Sequence, residues 1–528
     1  MSGSSRESDR AFVLGLDGVP WRLIDRWTRA GELPHFARMR EEGAAGPMES
    51  TMPPTTPLAW PSIATGVWPD KHGIYGFQKL SASYSHRMYT SRDIRQPPLW
   101  EQIAPAHVGN VPMTYPATEV DGTMVTGMMT PSTDRAFTHP PSFGETVQSS
   151  IPGYQISYDY PHYADRLSAF EDAIDEMLTS RRDLMRLQMD EGDWRLFFFV
   201  FTAPDRYQHL IWEEEKVLSL YRRLDEIVGE TLEYAEEHDA TVYVVSDHGF
   251  GEIDQLVYVN RILEEAGYLT RRRDSGTRGA LSSLGISRDL VKRGLNRVGI
   301  TDKMLVSRLP RPLVDSVAER LPGDHALYDV DYSETTAFVH DAGACWVNDT
   351  RRFDEGTVSP EEIDRVKAEL VDTFESVTTD DGTRLIDVRD GDELFPADEE
   401  SPDLIVDGVD GYDTRTAVAD ERLGDTGSTV ASHRSTGVLL AHGPIVDAGA
   451  RLRGARVVDL APTLLHGLGK PVPSNVDGRV LFDTFRDDAR PSLERVDRIS
   501  VTTAERSRAP DEDFTAVQDR LRGLGYME

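Results

Sequence analysis

The chain holds one cysteine, Cys345, in 528 residues, so no disulfide can form within it. It has no long apolar run. The longest, Leu196 to Phe201 (LFFFVF), is far short of the roughly 20 residues a membrane helix needs. The amino-terminal MSGSSRESDR lacks the apolar core of a secretory signal. Positive charge is scarce, with 57 basic residues against 90 acidic ones, and only 7 of the 57 are lysine. The resulting net charge of −33 argues against nucleic acid as the main partner, because its phosphates would be repelled. These absences lead us to expect a soluble, cytoplasmic protein with no transmembrane segment. Acidity with so little lysine suits a protein that stays soluble in molar salt, where charges are screened within about 3 Å. The composition therefore reads as halophilic, and archaeal by extension.

What the chain does contain is an alternation of short apolar runs with long amphipathic stretches. Ala11–Leu16, Leu196–Phe201 and Thr241–Val245 read as buried strands, with Leu404–Val406 and Gly437–Ala441 as further candidates. Phe170–Asp190 and Glu213–Glu237 have helical periodicity and charged faces. The pattern predicts an α/β fold with a mostly parallel central sheet and helices on both faces.

The alternation breaks from about residue 255 to 329. Between Arg271 and Arg311 there are eleven basic residues and three acidic ones, in a chain that is otherwise strongly acidic. We expect a basic helical insertion or cap over 255–329, facing an anionic substrate, an acidic partner or solvent. The catalytic core is then discontinuous, covering 10–254 and 330–485. Residues 486–528 read as a charged linker and then a helix. Phe514, Val517, Leu521 and Leu524 share one face of that helix and should dock on the body.

Acidic and histidine residues fall at the ends of the apolar runs. Asp17 follows the first strand in FVLGLDG. Asp205 and His209 follow the second in TAPDRYQH. Asp247 and His248 follow the third in SDHGFG. His433 lies in ASHRSTG, on a loop just before the last strand. Open α/β sheets bind ligands outside the carboxyl ends of their strands. Three aspartates and three histidines are too many for one catalytic zinc with an open position, but they suit two metals with three ligands each. Mixed oxygen and nitrogen donors favour zinc or another first-row divalent ion. Each residue alone has a plain structural reading as a turn, cap or surface residue; the set in this order does not.

A further stretch is PPTTPLAWPSIATGVWPDKHGIYGF (53–77). Two hydroxyls, Thr55 and Thr56, sit in a frame stiffened by Pro53, Pro54 and Pro57. A new helix is expected to start within Ser62–Gly66.

In these motifs the chain resembles the alkaline phosphatase superfamily, in its type I phosphodiesterase/nucleotide pyrophosphatase-like branch. The resemblance covers about residues 10 to 485 and rests on GLDG, the Thr–Ala-Trp–Ser–Thr-Gly–Pro–His-Gly-Ile pattern, PDRYQH, SDHGFG and SHRSTG in family order. It implies a metal-dependent phosphoric ester hydrolase with two divalent cations, zinc first and manganese second. It puts Asp205, His209 and His433 on one cation, and Asp17, Asp247 and His248 on the other. The nucleophile falls on Thr56, also a ligand, with Thr55 as its neighbour and competitor. Attack on a small phosphoester, most simply a phosphodiester, would give a phosphothreonine. The alternatives are a phosphotransferase or phosphomutase with the same site, or a non-catalytic, metal-stabilised binding protein. One departure stands out. Family members place an asparagine shortly after His-Gly-Ile, where its amide helps hold a phosphate oxygen, and here Phe77 stands in its place. Asn110 and the arginines of the insertion are the candidates for that task. Arg206 is a weaker substrate contact, and His72 and His442 read as structural. No Cys/Ser-x-Pro-x-Arg motif frames Thr56, which argues against a sulfatase.

Overall fold

The structure, a computed structural model, describes residues 9–134, 136–157, 163, 166–272, 330–379, 381–489, 495, 496, 514, 517, 518 and 521. Its centre is a ten-stranded sheet. Across it run Ala450–Arg451, Ala44–Glu49, Thr436–His442, Thr241–Val245, Ala11–Leu16, Leu196–Phe201, Ala106–Val111, Gly122–Thr126 and Thr138–His139, with Ala455–Arg456 also paired to Ala44–Glu49. Six of the nine pairings are parallel, and the antiparallel ones involve Thr436–His442 and the edge strand Thr138–His139.

Alternating side chains of the middle strands feed two separate cores. Phe12, Leu14, Phe197 and Phe199 pack on one face against helices Trp21–Arg29, Leu167–Met189 and Glu214–Glu237. Val13, Phe198 and Val200 pack on the other against Thr56–Thr65 and Leu460–Gly467. A strand buried on both faces must be apolar throughout, which is why AFVLGL and LFFFVF contain no polar residue. The expected architecture is therefore the observed one.

Two elements depart from expectation. Leu404–Gly408 is a strand, but it belongs to a second, antiparallel sheet with Ala337–His340, Ala344–Val347 and Ile386–Asp390. Residues 255–258 are not helical. They continue the strand Gly249–Tyr258, and Val259–Glu265 then forms a helix. Val257, Ile262 and Leu263 share a third core with Val339, Leu370 and Val406, so this part of the chain is built into the second sheet's layer. The remainder of the expected insertion, 273–329, lies outside the described residues. At the far end of the chain, Val517 and Leu521 are buried against the body, with Phe514 half-buried beside them. Leu524 lies outside the described residues.

Candidate active site

Parallel pairing brings the ends of the three middle strands to one edge. Leu16 is level with Phe201, and Gly15 is level with both Val200 and Val245. Asp17 follows directly. Its neighbour Gly18 has φ +70° and lies so close to the Asp205 backbone that a side chain there would be crowded. Asp205 and His209 sit one turn apart on the helix Ala203–Leu210, hence on one face. His433 is not on a loop. It lies in the strand Ala431–Arg434, antiparallel to Gly249–Tyr258 and opposite Phe250. The Val430 N–H donates to the His209 carbonyl, and His209 Nδ1 lies 3.1 Å from the Ala431 carbonyl, so strand and helix are tied together beside the ligand atoms.

The six acidic and histidine residues form two trios. In each, the donor atoms lie within 4.8 Å of one another. In the first, Asp205 Oδ1 is 3.3 Å from His433 Nε2 and 3.6 Å from His209 Nε2. In the second, His248 Nε2 is 3.3 Å from Asp247 Oδ2 and 3.6 Å from Asp17 Oδ1. The trios adjoin, with the rings of His248 and His433 4.2 Å apart. All six are buried except His433, which is about one-tenth exposed at the mouth.

Tautomers follow from the hydrogen bonds. His248 Nδ1 lies 3.0 Å from the Gly249 carbonyl, as His209 Nδ1 does from that of Ala431. A carbonyl only accepts, so Nδ1 carries the proton in both rings and the Nε2 lone pair points into the site. That is the preparation a metal-binding histidine requires. The carboxylates are also held: Trp60 Nε1 donates to Asp17 Oδ2 at 3.1 Å, and the Gly18 N–H donates to Asp247 Oδ1 at 3.1 Å.

Electrostatics test whether cations fit. Burial, and then the carboxylates of Asp247 and Asp205, push Asp17 well above the usual carboxylate range. Burial pushes Asp247 up to about 6. Burial also opposes the charge on Asp205, but His209 and His433 outweigh it and leave that carboxyl below its ordinary value. Burial lowers His209, and burial and then His248 lower His433 to about 3, so both rings are neutral at pH 7. Burial and mutual repulsion thus oppose negative charge on Asp17 and Asp247, a cost that bound cations would relieve. Donor set and charge deficit both fit divalent ions.

Thr56 joins the second trio, its buried hydroxyl 3.4 Å from Asp17 Oδ1 and 3.3 Å from His248 Nε2. It is the first residue of the helix Thr56–Thr65, with Thr55 as the extended residue before it and Pro57 in the first turn, where a missing N–H costs nothing. The helix thus begins at Thr56 and not within Ser62–Gly66. Gly66, with φ +74°, terminates it. The Thr55 hydroxyl is buried and has no hydrogen-bond partner among the described residues.

Other expected residues have settled roles. Asn110 spends its amide on the Val200 carbonyl at 2.6 Å. Phe77 is buried in an apolar cluster. Arg206 is buried, donates to Thr202 Oγ1 at 3.3 Å, and lowers the Asp17 pKa by its charge. His72 accepts from the Ile74 N–H and donates to Ser62, which in turn donates to the Leu58 carbonyl. His442 pairs with Val242 at the opposite edge of the sheet. The sequence reading missed Trp60 as a partner of Asp17. Its signal was the four-residue spacing from Thr56, which puts both on one helix face.

Residues 11–437 match the family model for type I phosphodiesterases/nucleotide pyrophosphatases. The chain belongs to that family. It is thus a phosphoric ester hydrolase of a metal-dependent family, within the alkaline phosphatase superfamily. No curated protein matches it. Among solved structures it is similar to human ectonucleotide pyrophosphatase/phosphodiesterase 5, with 11% identity, a TM-score of 0.50, and coverage of 89% of this chain and 97% of that one. The murine counterpart gives 14% identity and a TM-score of 0.48 over the same shares. The likeness to the human protein is one of fold. Among the described residues no helix is long and apolar enough to cross a membrane.

Proposed function

We propose that this family member is a phosphodiesterase that works with two divalent cations and a covalent phosphothreonine at Thr56. The observation that carries the reading is the position of one threonine hydroxyl, buried and within 3.4 Å of Asp17 and His248, beside two adjoining oxygen–nitrogen trios. Asp205, His209 and His433 would hold one cation, and Asp17, Asp247 and His248 with Thr56 the other. The donor set suits zinc best and manganese next. When bound, two such ions supply Lewis acidity at the attacking and leaving oxygens and offset the three carboxylates.

The chain's own groups do the positioning. The helix start and its prolines fix the Thr56 oxygen, where a 1 Å error can cost about 10²-fold in rate. In the first turn Pro57 has no N–H and those of Leu58 and Ala59 donate to the Thr55 carbonyl, which leaves the Thr56 N–H as the first-turn donor for a phosphate oxygen now that Phe77 and Asn110 are otherwise placed. Thr56 Oγ attacks phosphorus in line, the opposite P–O bond breaks, and the departing alcohol takes a proton. Water then attacks the phosphothreonine diester, the Thr56 oxygen leaves and is reprotonated, and a phosphomonoester is released.

Rapid acid quenching tests this. With a chromogenic phosphodiester, molar KCl and added Zn²⁺ or Mn²⁺, the peptide containing Thr56 should gain the mass of the retained phosphoester during the first turnover. An adduct on another residue, or a full burst with no adduct, contradicts the route. Partition of product toward an added alcohol would instead assign a phosphotransferase.

A further inference from the structure

A second cavity, of about 280 Å³, lies between residues 75–82 and the second sheet. The hairpin that joins Ala337–His340 to Ala344–Val347 sets this junction. Ala342 and Gly343 turn it, with φ of 50° and 70°. Asp341 at its tip lies against Gly76, where a Cβ would come within 2.5 Å of the Asp341 Oδ2. The Gln78 N–H donates to that same oxygen at 2.5 Å. Neither Thr56 nor any of the six trio residues lines this cavity.

The charged groups around it divide into spent and unspent. Arg352 donates to Asp403 Oδ2 at 2.6 Å and to Asp349, and its guanidinium lies 5.5 Å from the centre of the Trp346 ring. Arg95 donates to Asp398 Oδ2 at 2.7 Å, and Tyr75 donates to the same oxygen at 2.9 Å. Lys79, by contrast, has no ion pair among the described residues. Arg351 Nε is 3.6 Å from Asp349 Oδ1, beyond hydrogen-bond reach, and Arg352 already holds that carboxylate.

Three lining residues hold a buried polar atom with no hydrogen-bond partner among the described residues. These are Trp346 Nε1, Gln78 Nε2 and Asp341 Oδ1. Gln78 as a whole is only 9% exposed. A buried N–H left unpaired costs free energy, and folded proteins keep few of them. Lost hydration raises the Asp341 carboxyl to about 7, so near neutral pH it is partly protonated and repels an anion little. Two orphan N–H groups and two unspent cations around one space call for acceptor oxygens. Tyr89, Trp346 and Phe353 add aromatic wall, and Arg352 holds the Trp346 ring in place. The volume is at the small end for ligand pockets, enough for one ring and one head group.

We propose that this cavity binds a small organic anion: a flat ring carrying one oxyanion head, carboxylate or phosphate. The Trp346 and Gln78 N–H groups take the oxygens of the head, Lys79 and Arg351 balance its charge, and the aromatic wall covers the ring. The site is separate from the metal trios and does not rest on the reaction assigned to them.

The test is calorimetry on the full chain, loaded with Zn²⁺ in molar KCl, with benzoate, phenyl phosphate and the neutral benzyl alcohol. At least one anion should bind with a component of one molecule per chain. Trp346→Phe, which keeps a ring and loses the N–H, should weaken that component tenfold or more. Lys79→Met, at a partly exposed position, should weaken it as well. The anion that binds tighter identifies the head group. Phenyl phosphate held at the metal trios is insensitive to both variants and is thereby told apart. No binding of either anion, or equal affinity in wild type and both variants, overturns the proposal and leaves the cavity to water. Competition by benzyl alcohol at equal concentration overturns the anion assignment.

Discussion

At the residue scale the site is defined by lone pairs and charges. The proposed ligands predict that Asp205→Asn removes one trio's only carboxylate and lowers the metal content of purified protein from two ions to one per chain, as read by elemental analysis. Retention of two ions would contradict the assignment. His72 gives a pH prediction. Burial holds its imidazole at about 3, below the ordinary 6.5, so the folded state binds fewer protons than the unfolded one. The stability it contributes is present above pH 6.5 and is lost as pH falls toward 3, by up to about 5 kcal/mol at roughly 1.36 kcal/mol per unit. Urea midpoints at pH 7 and pH 4 should differ less for His72→Gln than for wild type; an equal difference would show that His72 does not carry the dependence. The three aspartates and three histidines were legible in the sequence because each follows or precedes an apolar run. The carbonyls of Gly249 and Ala431 that set the tautomers were not, because backbone partners depend on long-range pairing and carry no residue signature.

At the element scale the helix Thr56–Thr65 does the most. It carries Thr56 at its start and Trp60 one turn later, and Trp60 reaches back to Asp17. Gly15 lies under the Trp60 ring, where an added methyl would overlap both Trp60 and Val200. Gly15→Ala should therefore destabilise the fold by about 1–3 kcal/mol, as overpacking does. It should also lower turnover by shifting Trp60 off Asp17. A urea midpoint and a rate within error of wild type would contradict this close packing. The helix starts ahead of the expected Ser62–Gly66 because Pro57, part of the stiff frame around Thr56, is also compatible with a first helical turn. The strand Leu404–Gly408 was legible as a strand, but its membership of the second sheet was not. An apolar run states that a segment is buried, not which neighbour it pairs with.

At the scale of the whole molecule the dominant property is charge. A net −33 on a folded chain is self-repulsive in dilute buffer and screened in molar salt. The thermal midpoint should rise steeply between 0.2 and 2 M KCl, and turnover with it. Full stability and activity in dilute buffer would remove the case for a halophilic protein. The net charge is legible from composition alone, whereas the role of the basic stretch at Arg271–Arg311 is not a matter of composition, since it depends on what that stretch faces.

The most direct measurement is the hydrolysis of a chromogenic phosphodiester by wild type and Thr56→Ala, both loaded with Zn²⁺ in molar KCl. Removing a nucleophile while leaving the six trio residues in place should cost at least about 10³-fold in kcat, with metal content unchanged. Turnover by Thr56→Ala at the wild-type rate would contradict the account at its centre.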